Sequence, residues 1–376
     1  MYQNTKSIIE LLKSKTEGRY LSARRAMKAH LFSDFFATLF IMLLVLQVIG
    51  CAGNKKIFQA ARDGDEKKIN QYLAEKNDVN ILDQTKSNLL LYAAGHGNIN
   101  IVNALLAAGI DVNASNDRKR NALMNAINFG HFAIVKLLLE KGADVNSVDY
   151  IGWTPLMIAS IRYNTEIFKE VLKYKPDLNK QNVEGHTSAM LSVIHQSPDV
   201  LQLLIEKKAD MNLKDNNDET ALIKAIYKND FDSIKLLIKA KADLNTKNKD
   251  GKTALMISAK KGQVDMVQLL LASKADLNLR DSFGFTALIW AVNMGELTMI
   301  KELIKSGANM DVQDEKGQTA IMKAVLQGNV EMVTILLSKK SNLNIKDKDG
   351  KTALGLAIEN NQGEIGELLK KSGAKN

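Results

Sequence analysis

From Gln84 to the carboxyl end the chain repeats itself every 33 residues without an insertion. Copies open at Gln84, Asp117, Tyr150, Val183, Asn216, Lys249, Ser282, Glu315 and Lys348, and residues 54–83 form a degenerate first copy. A period this short holds one supersecondary unit. Such a unit cannot bury its apolar face alone, so the units must stack on one another. Of the architectures that 376 residues permit, a few ordinary domains or one elongated array, the period selects the array. With 45% apolar and 25% charged residues, the chain can supply both a shared core and a solvated surface.

The unit DGKTALMISAKKGQVDMVQLLLASKADLNLRD (250–281) shows the local logic. Thr253 stands where a side-chain oxygen caps a first helix, and Ala254, Leu255 and Ala259 form that helix's packing face. Gly262 turns the chain. Val267, Leu270 and Leu271 then fall at i, i+3 and i+4 on a second helix. Asp276, Asn278 and Asp281 belong to an extended finger leading to the next unit. A 33-residue period with T-A/P-L, a mid-unit Gly and A-D-x-N resembles the ankyrin repeat. The resemblance covers nearly everything after Cys51. It implies an all-α solenoid of stacked helix-turn-helix units with β-hairpin fingers, about ten repeats including caps. Residues 55–83 and 348–376 would be the caps around eight repeats at 84–347. Polar ends suit caps, and Lys55, Lys56, Lys67 and Lys68 at one end match Lys370, Lys371 and Lys375 at the other.

Departures from the family pattern carry information. T-P-L-H survives only as Thr154-Pro155-Leu156-Met157, and Met124, Met157, Met190, Met256 and Met322 often stand where the histidine would be. Apolar packing is expected there in place of that histidine's inter-repeat hydrogen bond. The glycine that usually closes the second helix is lysine at Lys175, Lys208, Lys241, Lys274 and Lys340. A non-glycine residue in the left-handed region costs about 1–2 kcal/mol, and a cation at a helix C-terminus returns only ~0.3–1 kcal/mol.

The amino-terminal fifty residues differ from the rest. Phe35 to Ile49 carry no charge, a run of 15 residues that is too short for a membrane span and suits a signal-peptide core. Arg24, Arg25 and Lys28 supply a basic region before it. Val48-Ile49-Gly50-Cys51 then resembles the lipobox of bacterial lipoproteins, departing at Val48, where Leu is usual, and at the bulky Ile49. That resemblance implies a diacylglyceryl group on the Cys51 thiol and cleavage just before it. It accounts for the single cysteine of the chain, which excludes an intrachain disulfide and a cysteine-based zinc site. Residues 1–50 would be leader and signal, with Met27 an alternative start, and 51–54 a short lipidated tether. The competing expectation is an uncleaved anchor helix over 31–51.

Groups for catalysis do not converge. His30 falls in the signal, and His96, His131, His186 and His195 fall at turns or fingers of different repeats without HExxH-like spacing. GHGNIN (95–100) lacks the strand before it and the third glycine of a dinucleotide loop. DKDG (347–350) lacks the ligands of a calcium loop, with Ile345 and Leu356 at liganding positions. The net charge of +9 divides into +4 over residues 1–50 and +5 over the rest, a mixed surface and not a nucleic-acid footprint. The reading is a non-catalytic protein, with no cofactor, metal, nucleic acid or small-molecule substrate.

What remains is surface. In ankyrin proteins partners usually dock on the concave side, formed by finger tips and the exposed face of the first helix. Carried over by repeat position, this implies a partner site of Phe129, Tyr150, Ile151, Trp153, Ile161, Arg162, Tyr174, Ile194, His195 and Tyr227. Aromatic residues with an arginine are the usual material of binding hot spots. Phe283, Phe285 and Met294 form a second candidate, and the lysine row Lys175, Lys208, Lys241 and Lys274 reads as solvated helix ends. The expected function is a membrane-tethered scaffold for a protein partner, facing the periplasm or cell surface. The alternatives are an accessory or inhibitor of a cell-envelope enzyme, and a cytosolic-facing scaffold on an uncleaved anchor.

Overall fold

The computed structural model describes residues 55–375, so the leader, Cys51 and the tether lie outside the described residues. The chain divides into two units, Met1–Gln59 and Ala60–Asn376. Only Lys55–Gln59 of the first is described. Among the described residues there are twenty helices, alternating between a first and a second member of a pair. The first members are α1 Lys55–Asp63, α3 Leu89–Gly95, α5 Ala122–Phe129, α7 Pro155–Ser160, α9 Ser188–Ile194, α11 Ala221–Lys228, α13 Ala254–Lys260, α15 Ala287–Met294, α17 Ala320–Leu326 and α19 Ala353–Glu359. The second members are α2 Glu66–Ala74, α4 Ile99–Ala107, α6 Phe132–Glu140, α8 Thr165–Lys173, α10 Pro198–Glu206, α12 Phe231–Lys239, α14 Val264–Ala272, α16 Leu297–Lys305, α18 Val330–Leu337 and α20 Gly363–Lys371. None is long and apolar enough to cross a membrane.

From α3 onward, first helices pack on first helices and most second helices on second, so the core is a row of similar layers. Helices of six to nine residues are too short to persist alone and depend on this packing. Most first helices start at a side-chain cap. Thr253 Oγ1 accepts from the Met256 amide at 3.4 Å, and Asn121 Oδ1 from the Met124 amide at 2.9 Å. Met124, Met157, Met190, Met256 and Met322 are all buried, so apolar packing does occupy the place of the family's histidine.

The fingers correct the expectation of β-hairpins. Among the described residues there is no named strand, and the one isolated bridge joins Ser115 to Asn121. The reason lies in where the finger amides go. In each finger an Asp or Asn side chain accepts the amides two and four residues on: Asp281 Oδ1 takes Phe283 N at 2.9 Å and Phe285 N at 2.8 Å. Each finger closes on itself only in one tight turn, Asp281 N to Phe285 O and Gly284 N to Asp281 O, both at 3.0 Å. Its tip then bonds to its neighbour, as Ser282 N does to Asp250 O and Glu315 N to Phe283 O, both at 3.0 Å. A second ladder explains the A-D-x-N motif. Asn212 Oδ1 accepts from Asp243 N at 2.8 Å, Asn245 from Asp276 N at 2.9 Å, and Asn278 from Asn309 N at 2.9 Å. Each asparagine thus carries its bond 31 residues forward into the next unit.

Close approach of neighbouring fingers explains the glycine at the tip. A Cβ on Gly185, at φ +79°, would lie 2.7 Å from Asn216 N and 2.8 Å from Asp215 Cα. Gly350, at φ +77° in the last finger, has open space around it. Gly350→Ala is expected to cost about 1–2 kcal/mol for the left-handed backbone alone. Gly185→Ala should cost roughly 1–3 kcal/mol more, because the following finger must shift. Denaturant unfolding of the two variants measures the difference, and equal losses would mean the fingers separate freely.

Lys175, Lys208, Lys241 and Lys274 do adopt the left-handed conformation, at φ between +53° and +67°. Lys340 does not. Its helix, α18, stops at Leu337, one residue short of the nine that α14 and α16 reach, and caps on Ser338. Tyr163 replaces a turn glycine at φ +53°.

Candidate functional site

The residue before the helix cap and the residues at the end of the first helix mark the face made by fingers and first helices, and Trp290, fourth in its helix, adjoins it. One contact between units shows the arrangement. Lys252, before a cap, and Lys260, at the end of α13, both reach the Trp290 ring of the next helix, with Nζ 5.3 and 4.6 Å from its centroid.

The first candidate patch is only partly assembled. Phe129 and Tyr150 are 55% and 52% exposed, and Tyr174 and Tyr227 are exposed at its margins. Ile151, Trp153, Arg162, Ile194 and His195 are half-buried. Ile161 is a core residue, 6% exposed, which corrects its assignment to the surface. The helix before it, α7, has six residues and ends at Ser160, whose Oγ donates back to Leu156 O at 2.8 Å. Ile161 therefore falls at the cap and packs inward instead of extending the helix face. Trp153 is likewise not a free tip, since its amide is held by Asp149 Oδ1 at 2.9 Å. Arg162 donates to Asn128 Oδ1 in the preceding unit, and burial, then the nearby Arg120, lowers its pKa. Burial, then the charges of Lys228 and Arg162, lowers the His195 pKa and favours neutral imidazole.

A buried charge cluster follows in the next units. Asp215 Oδ2 lies 2.6 Å from Lys224 Nζ and 3.4 Å from His186 Nε2, and Lys224 also meets Glu219 at 3.0 Å. Burial alone would raise the Asp215 pKa. Hydrogen bonds from His186 and Lys224 and from the amides of Glu219 and Asn217 outweigh it and hold the carboxyl well below the usual range.

The second candidate patch is a continuous ring cluster. Phe283 and Phe285 have centroids 6.0 Å apart, and Phe285 meets Trp290 edge-on at 5.2 Å. Phe283 is 53% exposed and Met294 is also exposed. Trp290, 8% exposed, donates Nε1–H to Asp281 Oδ2 at 2.8 Å. Sequence reasoning missed this tryptophan. Its column gave only a mixed signal: the fourth helical residue is Tyr92, Asn125, Lys224 and Lys323 in four other units and the buried Ile158, Leu191, Ile257 and Leu356 in four more. Lys323 Nζ stands 5.2 Å from the Phe285 centroid and 2.7 Å from Asp314 Oδ2.

A family model for ankyrin repeats in three copies matches residues 57–149, 148–215, 222–314 and 288–376. The chain is an ankyrin-repeat protein. No curated protein matches it. Ankyrin repeats are typically non-catalytic interaction modules, and they support a protein-protein interaction scaffold as the role of this stack. The ladders give that role a physical basis. A partner meeting ankyrin fingers already tied to their neighbours pays little ordering entropy at the fingers.

Proposed function

We propose that this ankyrin protein is a non-catalytic scaffold, held at a bacterial membrane by a lipid on Cys51 and binding a protein partner along its finger-side face. The observation that carries the binding half is the display of large apolar side chains, Phe129, Tyr150, Tyr227, Phe283 and Met294, on one face of a hydrogen-bonded stack. About ten stacked copies give that face its length. The anchor half rests on the basic region, the short apolar core and the lipobox-like Val48-Ile49-Gly50-Cys51. Acylation would leave Ala52, Gly53 and Asn54 as the tether, a reach of roughly 10 Å at ~3.5 Å per residue. The lysines of α1 and α2 would then meet anionic headgroups.

Mass spectrometry of the mature amino terminus tests the anchor. The expected product begins at a lipidated Cys51, and Cys51→Ala should accumulate uncut precursor. Recovery of Phe35–Ile49 in the mature protein, with an unmodified thiol, would instead establish the uncleaved anchor. Photocrosslinkers at positions 129, 150 and 283 test the binding face against a crosslinker at Lys136 on a second helix. Equal adduct yields from both sides would remove the proposed face.

A further inference from the structure

Residues 248–261 carry four lysines against one aspartate, whereas the equivalent residues 149–162 of the first patch carry one arginine and one aspartate. The largest positive excess on the face therefore lies beside the second ring cluster, ahead of Arg118, Lys119 and Arg120 against Asp117 in residues 116–129. Three of these lysines lie over aromatic rings, Lys252 and Lys260 on Trp290 and Lys261 on Tyr227. Lys260 Nζ sits over Trp290, and Lys261 Nζ lies 5.2 Å from the Tyr227 centroid while donating to Tyr227 O at 3.0 Å. Lys252 and Lys323 are neutralised by Asp250 and Asp314 at 2.9 and 2.7 Å. Lys260 and Lys261 are exposed and form no ion pair among the described residues. An ammonium fixed on a ring face keeps hydrogen-bonding capacity for an incoming acceptor and has already lost part of its rotamer freedom.

Resting on the reading of this face as a partner-binding surface, we propose that Lys260, Lys261, Trp290 and Phe283 recognise a short acidic segment of a partner protein, with carboxylates at the two ammonium groups and an adjacent apolar side chain against Phe283. Charge complementarity selects the carboxylates. The exposed Phe283 and Met294 select the apolar neighbour, since a purely acidic ligand would leave both uncovered. The segment is short because acidic residues bracket the cluster, Asp218 and Glu219 on one side and Glu315 on the other. A long polyanion such as a nucleic acid would run into them.

The test uses the full chain and labelled twelve-residue peptides that alternate glutamate pairs with leucine, with a glutamine-for-glutamate peptide and a twelve-nucleotide thymidine strand as comparisons. The glutamate peptide is expected to bind, more weakly as salt rises. Lys260→Ala with Lys261→Ala should weaken it about tenfold or more at an unchanged unfolding midpoint. Lys260→Arg with Lys261→Arg should restore it, and alanine at Lys136 and Lys169, exposed on second helices, should leave it unchanged. The proposal is overturned by no binding, by equal binding of the glutamine peptide, by tighter binding of the thymidine strand, or by an indifferent double alanine variant. A partner that crosslinks at position 150 and ignores the Lys260 and Lys261 changes would leave the scaffold standing and remove this assignment alone. Failure of Cys51 processing would bear only on the anchor.

Discussion

Asp215→Ala is expected to lower the stability of the stack by about 3–5 kcal/mol, the usual consequence of removing one member of a buried ion pair. Three losses coincide at this residue. Lys224, itself buried, keeps only Glu219 at 3.0 Å. The amides of Asn217 and Glu219, now bonded to Asp215 Oδ1 at 2.8 and 2.9 Å, lose their acceptor. His186 loses the carboxylate at 3.4 Å. Asp215→Asn separates these effects, because Asn116, Asn182 and Asn248 hold the same place in their own fingers. It should keep the turn and lose the charge, at roughly 1.5–3 kcal/mol. The pH dependence follows from the lowered carboxyl pKa. A group whose native pKa is depressed binds its proton more readily when unfolded, so its stabilisation is complete above the ordinary carboxylate range, near pH ~4–5. It is lost as pH falls from there toward the native value. The stability gap between wild type and Asp215→Asn should therefore be constant from neutral pH down to about 5 and shrink below it. Urea titrations at stepped pH measure this, and a gap that widens in acid would contradict the assignment of charge to Asp215.

The stack was legible because a repeat writes its local rules many times over. Cap, turn glycine and apolar face recur in register, so one unit interprets the next. The asparagine of A-D-x-N was legible as a finger residue, but not as the donor's partner 31 residues away, since a side-chain acceptor has no periodic signature of its own. The strandless fingers were hidden for the same reason. Each finger pairs its backbone only across a single tight turn, which an Asp or Asn side chain holds from inside, and extended sequence looks alike in such a turn and in a hairpin. Site residues were the least legible, because they are where the units stop agreeing. Ile161 occupies a column that holds Asn128, Lys260 and Glu359 in other units, so solvent was the natural expectation. The early end of α7 turned it inward. Trp290 was hidden in the opposite way, an apolar letter in a helix whose neighbours are apolar, in a column that mixes Ile158, Leu191, Ile257 and Leu356 with Asn125, Lys224 and Lys323.

The two tryptophans of the chain should sort oppositely to their appearance in the sequence. Trp290→Ala is expected to cost about 3–5 kcal/mol, as truncation of a buried aromatic does. The ring contact to Phe285 goes, and Asp281 Oδ2, on a 7%-exposed residue, loses the indole donor. Lys252 and Lys260 lose the ring over which they are placed. Trp153→Ala removes a half-buried side chain whose finger is held through backbone and Asp149, so it should cost only about 1–2 kcal/mol. Fluorescence provides an independent check, since each single-tryptophan variant, Trp153→Phe or Trp290→Phe, reports one site. The indole left by Trp153→Phe should resist acrylamide quenching, and the one left by Trp290→Phe should be the more accessible. If Trp290→Ala unfolds no earlier than Trp153→Ala, or the quenching order is reversed, then Trp290 is not the packed base of the lysine cluster. The ring on which Lys260 rests would then be a mobile surface group, and of the ammonium pair only Lys261, on Tyr227, would keep its platform.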